Sequence, residues 1–171
     1  MKLTIRVALV AVLVGCGNGV PPDLSKTEEE IRVKFPGVKQ LATGELAAWL
    51  ADPKRAKPVL LDAREPAEWA VSHLSGAKNV PPGMKPEEAL AGVAKDAPVV
   101  VYCSVGYRSS QYVEKLQKAG WTNAVNLEGS IFAWANEGRQ VVDEKGPASM
   151  VHPYDAKWGE LLKPELRAPL K

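Results

Sequence analysis

The stretch VVVYCSVGYRSS, residues 99–110, combines a strand, a turn and the start of a helix around one cysteine. An apolar run typical of a buried β-strand ends directly before Cys103. A turn that contains Gly106 follows, and it leads through Arg108 into a helix-forming segment that starts near Ser109. This order of residues predicts a reactive thiol at the mouth of a turn.

The segments on either side of this stretch alternate between strand and helix patterns. Strands separated by helices of about ten residues form parallel βαβ units. The sequence therefore predicts an α/β fold with one mainly parallel central sheet and helices on both faces. Ligands of such sheets bind beyond the carboxyl ends of the strands, which is where Cys103 lies. Strands are predicted at residues 38–42, 58–63, 77–80, 97–102, 123–127 and 140–142, and helices at 44–52, 64–71, 87–94, 110–119 and 130–136.

The composition is that of an ordinary globular protein. The chain has 171 residues, of which 46% are hydrophobic and 25% are charged, so one domain with short extensions is expected. The 22 Lys and Arg residues nearly balance the 20 Asp and Glu residues, and no basic run is interleaved with aromatic residues. A nucleic-acid partner is therefore not indicated.

The domain is predicted to span residues 37–143. The tail, residues 144–171, contains four prolines and lacks periodicity, and we expect it to dock on the domain surface. The candidates for the docking contacts are Trp158, Leu161 and Leu162, and His152 is interpreted as part of the same docked segment.

The first 15 residues have the features of a bacterial lipoprotein signal peptide. Lys2 and Arg6 give a positive start, and residues 7–14 form an apolar run much shorter than the ~20 residues that span a membrane. The run closes with LVGC, residues 13–16, which resembles a lipobox, in which the thiol of Cys16 becomes acylated. Two alternatives stay open, namely an ordinary secreted protein that is cut nearby and an unprocessed, buried cysteine.

Lipidation of Cys16 predicts a lipid-anchored protein of the bacterial cell envelope that faces the periplasm or another extracytoplasmic space. Residues 16–36 would form a lipidated tether and a short helix. Ser25 and Thr27, each with a glutamate three positions later, predict a capping box for that helix, whose buried contacts would be Ile31 and Phe35. Neither the choice of inner or outer membrane nor the oligomeric state follows from the sequence.

The neighbours of Cys103 favour a chemical role over a structural one. A lone cysteine after an apolar strand is by default a small buried hydrophobic residue. Here the turn offers backbone N–H groups and a helix start, and Arg108 adds a permanent cation. These groups should lower the pKa of the Cys103 thiol from its usual ~8.5. Because a cation is unfavourable at a helix start, Arg108 indicates a nearby anion, either the thiolate or a ligand.

Three motifs resemble those of rhodanese-like sulfurtransferases. Cys103, four intervening residues, Arg108 and Ser109 resemble the six-residue active-site loop of that family. The upstream motifs of the family are similar to DAREPAEW, residues 62–69, and HLSGAKNV, residues 73–80, and its downstream segment is similar to LEG, residues 127–129, and FAW, residues 132–134. Two positions, Ser72 and Ser130, depart from the glycine that is common in the family.

The resemblance implies a rhodanese-like fold and a ping-pong transfer of sulfane sulfur. Cys103 would attack the outer sulfur of a donor such as thiosulfate and become a persulfide, which a thiol or cyanide acceptor would discharge. Arg108 would hold the anionic end of the donor or orient the loop. The residues that the resemblance implies in substrate binding are Ser104, Val105, Gly106, Tyr107, Arg108 and Ser109.

The same resemblance assigns Asp62, Arg64 and His73 to structural support of the loops, with proton transfer by His73 as an open alternative. No cofactor is implied. No metal site is expected either, because two histidines and one free cysteine, all distant in sequence, offer no ligand cluster.

Three other functions stay open. Cysteine phosphatases of the same fold resemble this loop but carry five residues between cysteine and arginine, so the four residues here favour a sulfur donor over a phosphate ester. A sulfur-carrier or binding module would hold the sulfur without turnover. A thiol redox sensor is less favoured, because acylation of Cys16 leaves no resolving cysteine. The physiological donor and acceptor do not follow from the sequence.

Overall fold

The computed structural model describes residues 23–170. The proposed signal peptide, the lipobox with Cys16 and the first part of the tether lie outside these described residues. The elements, in chain order, are α1 (Ser25–Lys34), β1 (Gln40–Leu41), α2 (Thr43–Ala51), β2 (Val59–Asp62), α3 (Pro66–Val71), β3 (Lys78–Asn79), α4 (Pro86–Ala89), β4 (Val99–Tyr102), α5 (Tyr107–Lys118), β5 (Ala124–Leu127), α6 (Ser130–Asn136), β6 (Val141–Asp143), β7 (Gly146–Ala148), α7 (Ala156–Gly159) and a 3-10 turn (Pro164–Leu166).

A five-stranded parallel sheet in the order β1-β5-β4-β2-β3 forms the centre of the fold. The predicted α/β class with a mainly parallel sheet and flanking helices is confirmed. The strand β4 lies between β2 and β5, where Val101 pairs with Leu61 on one side and Asn126 on the other. All four residues of β4 are buried, as its continuous apolar run predicts for a strand that is covered on both faces.

Two helices adjoin the end of β4 from which the candidate thiol emerges. The helix α5 packs on β4 and β5. The helix α6 follows β5, and its seven residues are all buried. The loop between β4 and α5 therefore lies at the carboxyl end of the central strand, in the place that parallel sheets use for ligands.

Three local predictions were wrong. The helix α4 covers four residues and not the predicted 87–94, because Leu90 leaves the helical conformation with φ −116° and ψ 32°. The helix α1 lacks the predicted capping box: Ser25 is already helical, and its N–H donates to the Asp23 carboxylate at 2.8 Å. The helix α5 begins at Tyr107, three residues earlier than predicted.

The C-terminal segment packs on the rest of the chain and has more regular structure than its proline content indicates. After the antiparallel β6–β7 pair it forms α7 and the 3-10 turn. Val151 and Leu162 are both 0% exposed, and Val151 forms a parallel bridge with Arg167. The tail is thus part of the folded unit.

In the described part of the chain, residues 23–170, no helix has the length and apolar character that a membrane crossing requires.

Candidate active site

The backbone of Cys103 is held in place by the start of α6. The Cys103 N–H donates to the hydroxyl of Ser130 at 3.1 Å, and the Cys103 carbonyl accepts from the N–H of Ile131 at 3.2 Å. The next carbonyl, of Ser104, accepts from the N–H of Phe132 at 3.1 Å. The loop that carries the thiol is therefore positioned by a helix that follows it by 27 residues.

The Cys103 sulfur accepts two hydrogen bonds from its own loop. The N–H of Gly106 donates to Sγ at 3.2 Å, and the hydroxyl of Ser109 donates to Sγ at 3.4 Å. Gly106 has a φ of 118°, a conformation that residues with a side chain rarely adopt, so the chain can turn its N–H toward the sulfur and enter α5 at once. The side chain of Cys103 is almost buried, with 1% of the residue exposed.

Opposing effects act on the thiol. Burial by itself raises the pKa of Cys103, because it disfavours the charged thiolate. The positive charge of Arg108 and the hydrogen bonds from Ser109 and Gly106 favour the thiolate and outweigh burial. The pKa of Cys103 therefore lies below its ordinary value, which increases the fraction of the nucleophilic form near neutral pH.

Arg108 forms an ion pair with a buried carboxylate. Its Nη1 and Nη2 donate to the two oxygens of Glu68 at 2.6 and 2.8 Å, and Nη2 also donates to the hydroxyl of Ser104 at 2.9 Å. Glu68 is 2% exposed, and although burial raises its pKa, the contacts with Arg108 lower it below the ordinary value. The expected anion near Arg108 is thus this side chain, in addition to the Cys103 thiolate.

A pocket of about 150 Å³ opens over the thiol. The loop contributes five of its lining residues, and two more, Tyr154 and Trp158, come from the C-terminal tail. The lining residues of the loop are Cys103, Ser104, Val105, Tyr107 and Arg108. Of the six residues predicted to bind substrate, Gly106 and Ser109 do not line the pocket, and both instead donate hydrogen bonds to the Cys103 sulfur.

Asp62 and Arg64 form an ion pair outside the lining of the pocket. Both side chains are 0% exposed, and the guanidinium donates from Nε and Nη2 to the Asp62 carboxylate at 2.9 and 2.6 Å. Nη2 also donates to the carbonyl of Ser72 at 2.6 Å, and Asn79 donates to the carbonyls of both partners of the pair. These contacts join β2 to the segment that follows α3.

His73 also lies outside the lining of the pocket. Its ring stacks on Trp69 with centroids 3.6 Å apart, and Nδ1 is 3.2 Å from the Trp69 carbonyl oxygen. Its backbone N–H and carbonyl pair with Val142 of β6. His73 therefore joins α3 to β6.

Four residues at the site were missed as functional candidates. Glu68 belongs to the DAREPAEW segment, but its partner Arg108 is 40 residues away and no local pattern connects them. Ser130, where glycine is common in the family, adopts a positive φ of 51° and accepts a hydrogen bond from the Cys103 N–H through its hydroxyl. Tyr154 and Trp158 lie in the tail, about 50 residues after the thiol, and no local pattern connects them to it. Among the described residues no cluster of His, Cys, Asp and Glu has the arrangement of a metal site.

Comparison with protein families gives a match to one domain. The family model described as rhodanese-like domain matches residues 43–137. A protein named sulfurtransferase, from Allochromatium vinosum, is 34% identical over 109 residues, which are 64% of this chain and 99% of that protein. The probable adenylyltransferase/sulfurtransferase MoeZ of Mycobacterium tuberculosis is 38% identical over 94 residues, 54% of this chain. This match spans about a quarter of the length of MoeZ, 24%.

Solved structures of rhodanese-like proteins are similar to this chain. A rhodanese-related protein from Thermoplasma volcanium is 29% identical with a TM-score of 0.53, and the match covers 62% of this chain and 99% of that one. A rhodanese-like domain protein from Staphylococcus aureus is 28% identical with a TM-score of 0.51, covering 65% and 98%. The thiosulfate sulfurtransferase of Pseudomonas aeruginosa, at 24% identity and a TM-score of 0.57 over 83% of this chain and 26% of that one, shares the fold.

Proposed function

Because this chain belongs to the family of rhodanese-like domains, we propose that it is a sulfurtransferase that carries sulfane sulfur as a persulfide on Cys103. The donor is a sulfane-sulfur compound such as thiosulfate, and the acceptor is a thiol or cyanide. The observation that carries this proposal is the environment of the sulfur: two hydrogen-bond donors and a lowered pKa at the base of an open pocket.

The reaction has two steps with balanced bonds. In the first, the Cys103 thiolate attacks the outer sulfur of the donor; a new S–S bond forms, the S–S bond of the donor breaks, and its electron pair leaves with sulfite. In the second, a thiolate or cyanide attacks the outer sulfur of the persulfide. The sulfur leaves with the acceptor, as a persulfide or as thiocyanate, and the Cys103 thiolate is restored.

The groups around the sulfur suit an anion at each step. The N–H of Gly106 and the hydroxyl of Ser109 stabilise the attacking thiolate and the thiolate that is released. The N–H groups of α6 that hold the carbonyls of Cys103 and Ser104 keep these donors in position. Asp62, Arg64 and His73 support the surrounding loops and take no chemical step in this proposal.

The test is the mass of the intact protein after incubation with thiosulfate. We expect the wild-type protein to gain the mass of one sulfur atom, to lose it on addition of cyanide, and to produce thiocyanate over many turnovers. The Cys103→Ser variant should show neither the adduct nor thiocyanate, because an alcohol at this position has no comparable nucleophilic anion near neutral pH.

Other outcomes identify the alternatives. An adduct that forms once and is not released to cyanide or any thiol favours a sulfur-carrier module without turnover. Hydrolysis of an aryl phosphate without a persulfide would overturn the sulfur-transfer proposal in favour of a phosphatase. A Cys103→Ser variant that still transfers sulfur would show that the reacting group lies elsewhere.

We also propose that the protein is anchored to a membrane of the bacterial envelope by lipid on Cys16. The support is the sequence alone: the positive start, the apolar run and the LVGC segment at residues 13–16. The Cys16→Ser variant should move from the membrane fraction to the soluble fraction, with Cys103→Ser as the matched control that stays with membranes. Continued membrane association of Cys16→Ser contradicts the anchor.

A further inference from the structure

The pocket over Cys103 has one wall that the family domain does not supply. Tyr154 and Trp158 line the pocket from the tail, whereas the family match ends at residue 137. Val105 and Tyr107 of the loop line the same pocket. Apart from the thiol, Ser104 and Arg108, the lining of the pocket is therefore apolar and aromatic.

This tail wall, Tyr154 and Trp158, is held by contacts on both sides. The carboxylate of Asp155 accepts from the N–H of Trp158 at 2.8 Å, which caps the short helix α7. After α7, the side chain of Asn136 donates to the carbonyl of Leu161 at 2.8 Å and accepts from the N–H of Lys163 at 2.9 Å. Because Asn136 belongs to α6, its two hydrogen bonds fix the position of the tail wall relative to α6, and so relative to the thiol loop that α6 holds.

The pocket provides little positive charge to stabilise a second negative charge. Arg108 is the one charged residue among those that line the pocket, and both of its terminal nitrogens donate to Glu68. Its guanidinium also lies over the ring of Tyr154, 4.9 Å from the ring centroid. Because Glu68 offsets part of the charge of Arg108 and the Cys103 thiolate already interacts with this cation, little positive charge is left for a dianion such as thiosulfate.

The size of the pocket fits an apolar group. Its volume is about 150 Å³, and an engineered apolar cavity of similar volume is known to bind benzene. The donor, more than the acceptor, occupies this space: its outer sulfur must reach the Cys103 Sγ, which is almost buried at the base. The acceptor attacks a sulfur that stands one S–S bond, about 2 Å, further out.

We propose that Tyr154 and Trp158 are specificity-determining residues, and that the preferred sulfur donor carries an apolar group about the size of a benzene ring next to its sulfane sulfur. This inference rests on the proposed sulfur transfer and names the class of donor. The tail thus takes part in the choice of the sulfur donor.

A pair of probes isolates the apolar group. Benzenethiosulfonate and methanethiosulfonate are both monoanions that offer the same sulfonyl-bound outer sulfur. The Cys103 thiolate takes that sulfur, the S–S bond of the probe breaks, and the electron pair leaves with benzenesulfinate or methanesulfinate. The rate of persulfide formation is measured for each probe by intact mass, and the ratio of the two rates is compared with the ratio for a free thiol in solution.

We expect the wild-type protein to favour benzenethiosulfonate beyond the ratio shown by the free thiol. The ratio should fall about tenfold in Trp158→Ala, since the ring of the probe loses an apolar contact surface. Tyr154→Ala should also lower the ratio. Because Tyr154 is 47% exposed, we expect this variant to keep the fold. The matched control is Lys157→Ala, an exposed residue of the same short helix that does not line the pocket.

The outcomes separate this inference from the proposed function. If both probes form the persulfide and the ratio is equal in the wild type, Trp158→Ala and Tyr154→Ala, the tail wall has no role in specificity and the inference is overturned. A wild-type ratio equal to that of the free thiol overturns it as well. Absence of a persulfide with thiosulfate and with both probes overturns the sulfur transfer itself, and the inference with it.

Discussion

At the scale of single residues, the site is a balance of two charges around one sulfur. The Arg108 cation favours the Cys103 thiolate, whereas the Glu68 carboxylate, bound to Arg108 through both oxygens, offsets that cation. Substitution of either residue should therefore change the pKa of the Cys103 thiol in a defined direction. The arrangement also explains why an arginine is tolerated at the positive end of α5, where a helix start repels cations.

Substitution of each charge should move the pKa of Cys103 in opposite directions. Arg108→Gln removes the cation that stabilises the thiolate, so the pKa should rise by about one unit; Glu68→Gln removes an anion of the same shape, so the pKa should fall. The measurement is the rate of alkylation by iodoacetamide as a function of pH. Arg55→Gln, in which the lost cation lies over Trp49, is the control that should leave the profile unchanged. Shifts of the same sign in both variants would contradict this balance.

The same depressed pKa affects stability in a defined window of pH. A thiol whose pKa is lower in the folded than in the unfolded state stabilises the fold above the unfolded value, ~8.5. That contribution is lost as the pH falls through the folded value. It is absent from Cys103→Ser, so the wild type should gain stability relative to the variant as the pH rises through this window.

At the scale of elements, the loop depends on how the chain enters α6. Gly129 precedes this helix with a φ of 64°, and the first N–H groups of the helix bind the carbonyls of the thiol loop. A Cβ on Gly129 would stand 2.5 Å from Ala133 Cβ and 2.6 Å from an oxygen of Glu28 in α1. Gly129 therefore lets α1, α6 and the loop approach one another.

The Gly129→Ala variant should be destabilised by about 2 kcal/mol, because it combines a left-handed backbone with two close contacts. It should also react more slowly at Cys103, since the α6 contacts of the loop shift. The free energy of unfolding in urea and the alkylation rate at fixed pH provide the two measurements. Gly37→Ala is the control, as Gly37 has no heavy atom within 4 Å of the added Cβ and should tolerate the change.

At the scale of the whole molecule, segments outside the family domain complete both the core and the pocket. Ile31 and Phe35 of the N-terminal region are each 4% exposed, and Phe35 packs edge-on against Tyr107 of the loop with ring centroids 5.1 Å apart. From the other end of the chain, Val151 and Leu162 join the same core. The thiol loop is thus flanked by both extensions of the domain.

The Leu162→Ala variant tests whether the tail contributes to global stability. Leu162 is 0% exposed, so truncation should cost about 2 to 5 kcal/mol through lost burial and a cavity. Leu170→Ala removes the same atoms from a residue that is 48% exposed and should change the free energy of unfolding by no more than about 0.5 kcal/mol. Urea unfolding of both variants gives the comparison. Equal stability of the two would mean that the tail contributes nothing to the core.

Local patterns were enough to predict the fold class and the position of the thiol. The apolar run of β4, the alternation of strands and helices, and the motif around Cys103 are properties of neighbouring residues, and a parallel sheet follows from them. The end of α4 and the start of α1 were predicted wrongly. At both boundaries the residue next to the helix, Leu90 or Leu24, is buried in the core, a tertiary contact that the local pattern does not show.

The sequence by itself determined that Cys103 follows a buried strand and that Arg108 lies at the start of the next helix. Only the tertiary structure decided what these two residues meet: Glu68 on Arg108, Ser130 on the Cys103 backbone, and Tyr154 and Trp158 across the pocket. The reason is physical. Strand and helix patterns arise between residues a few positions apart, whereas the charge balance and the apolar wall arise from contacts over tens of residues, which exist only after the sheet has brought the segments together.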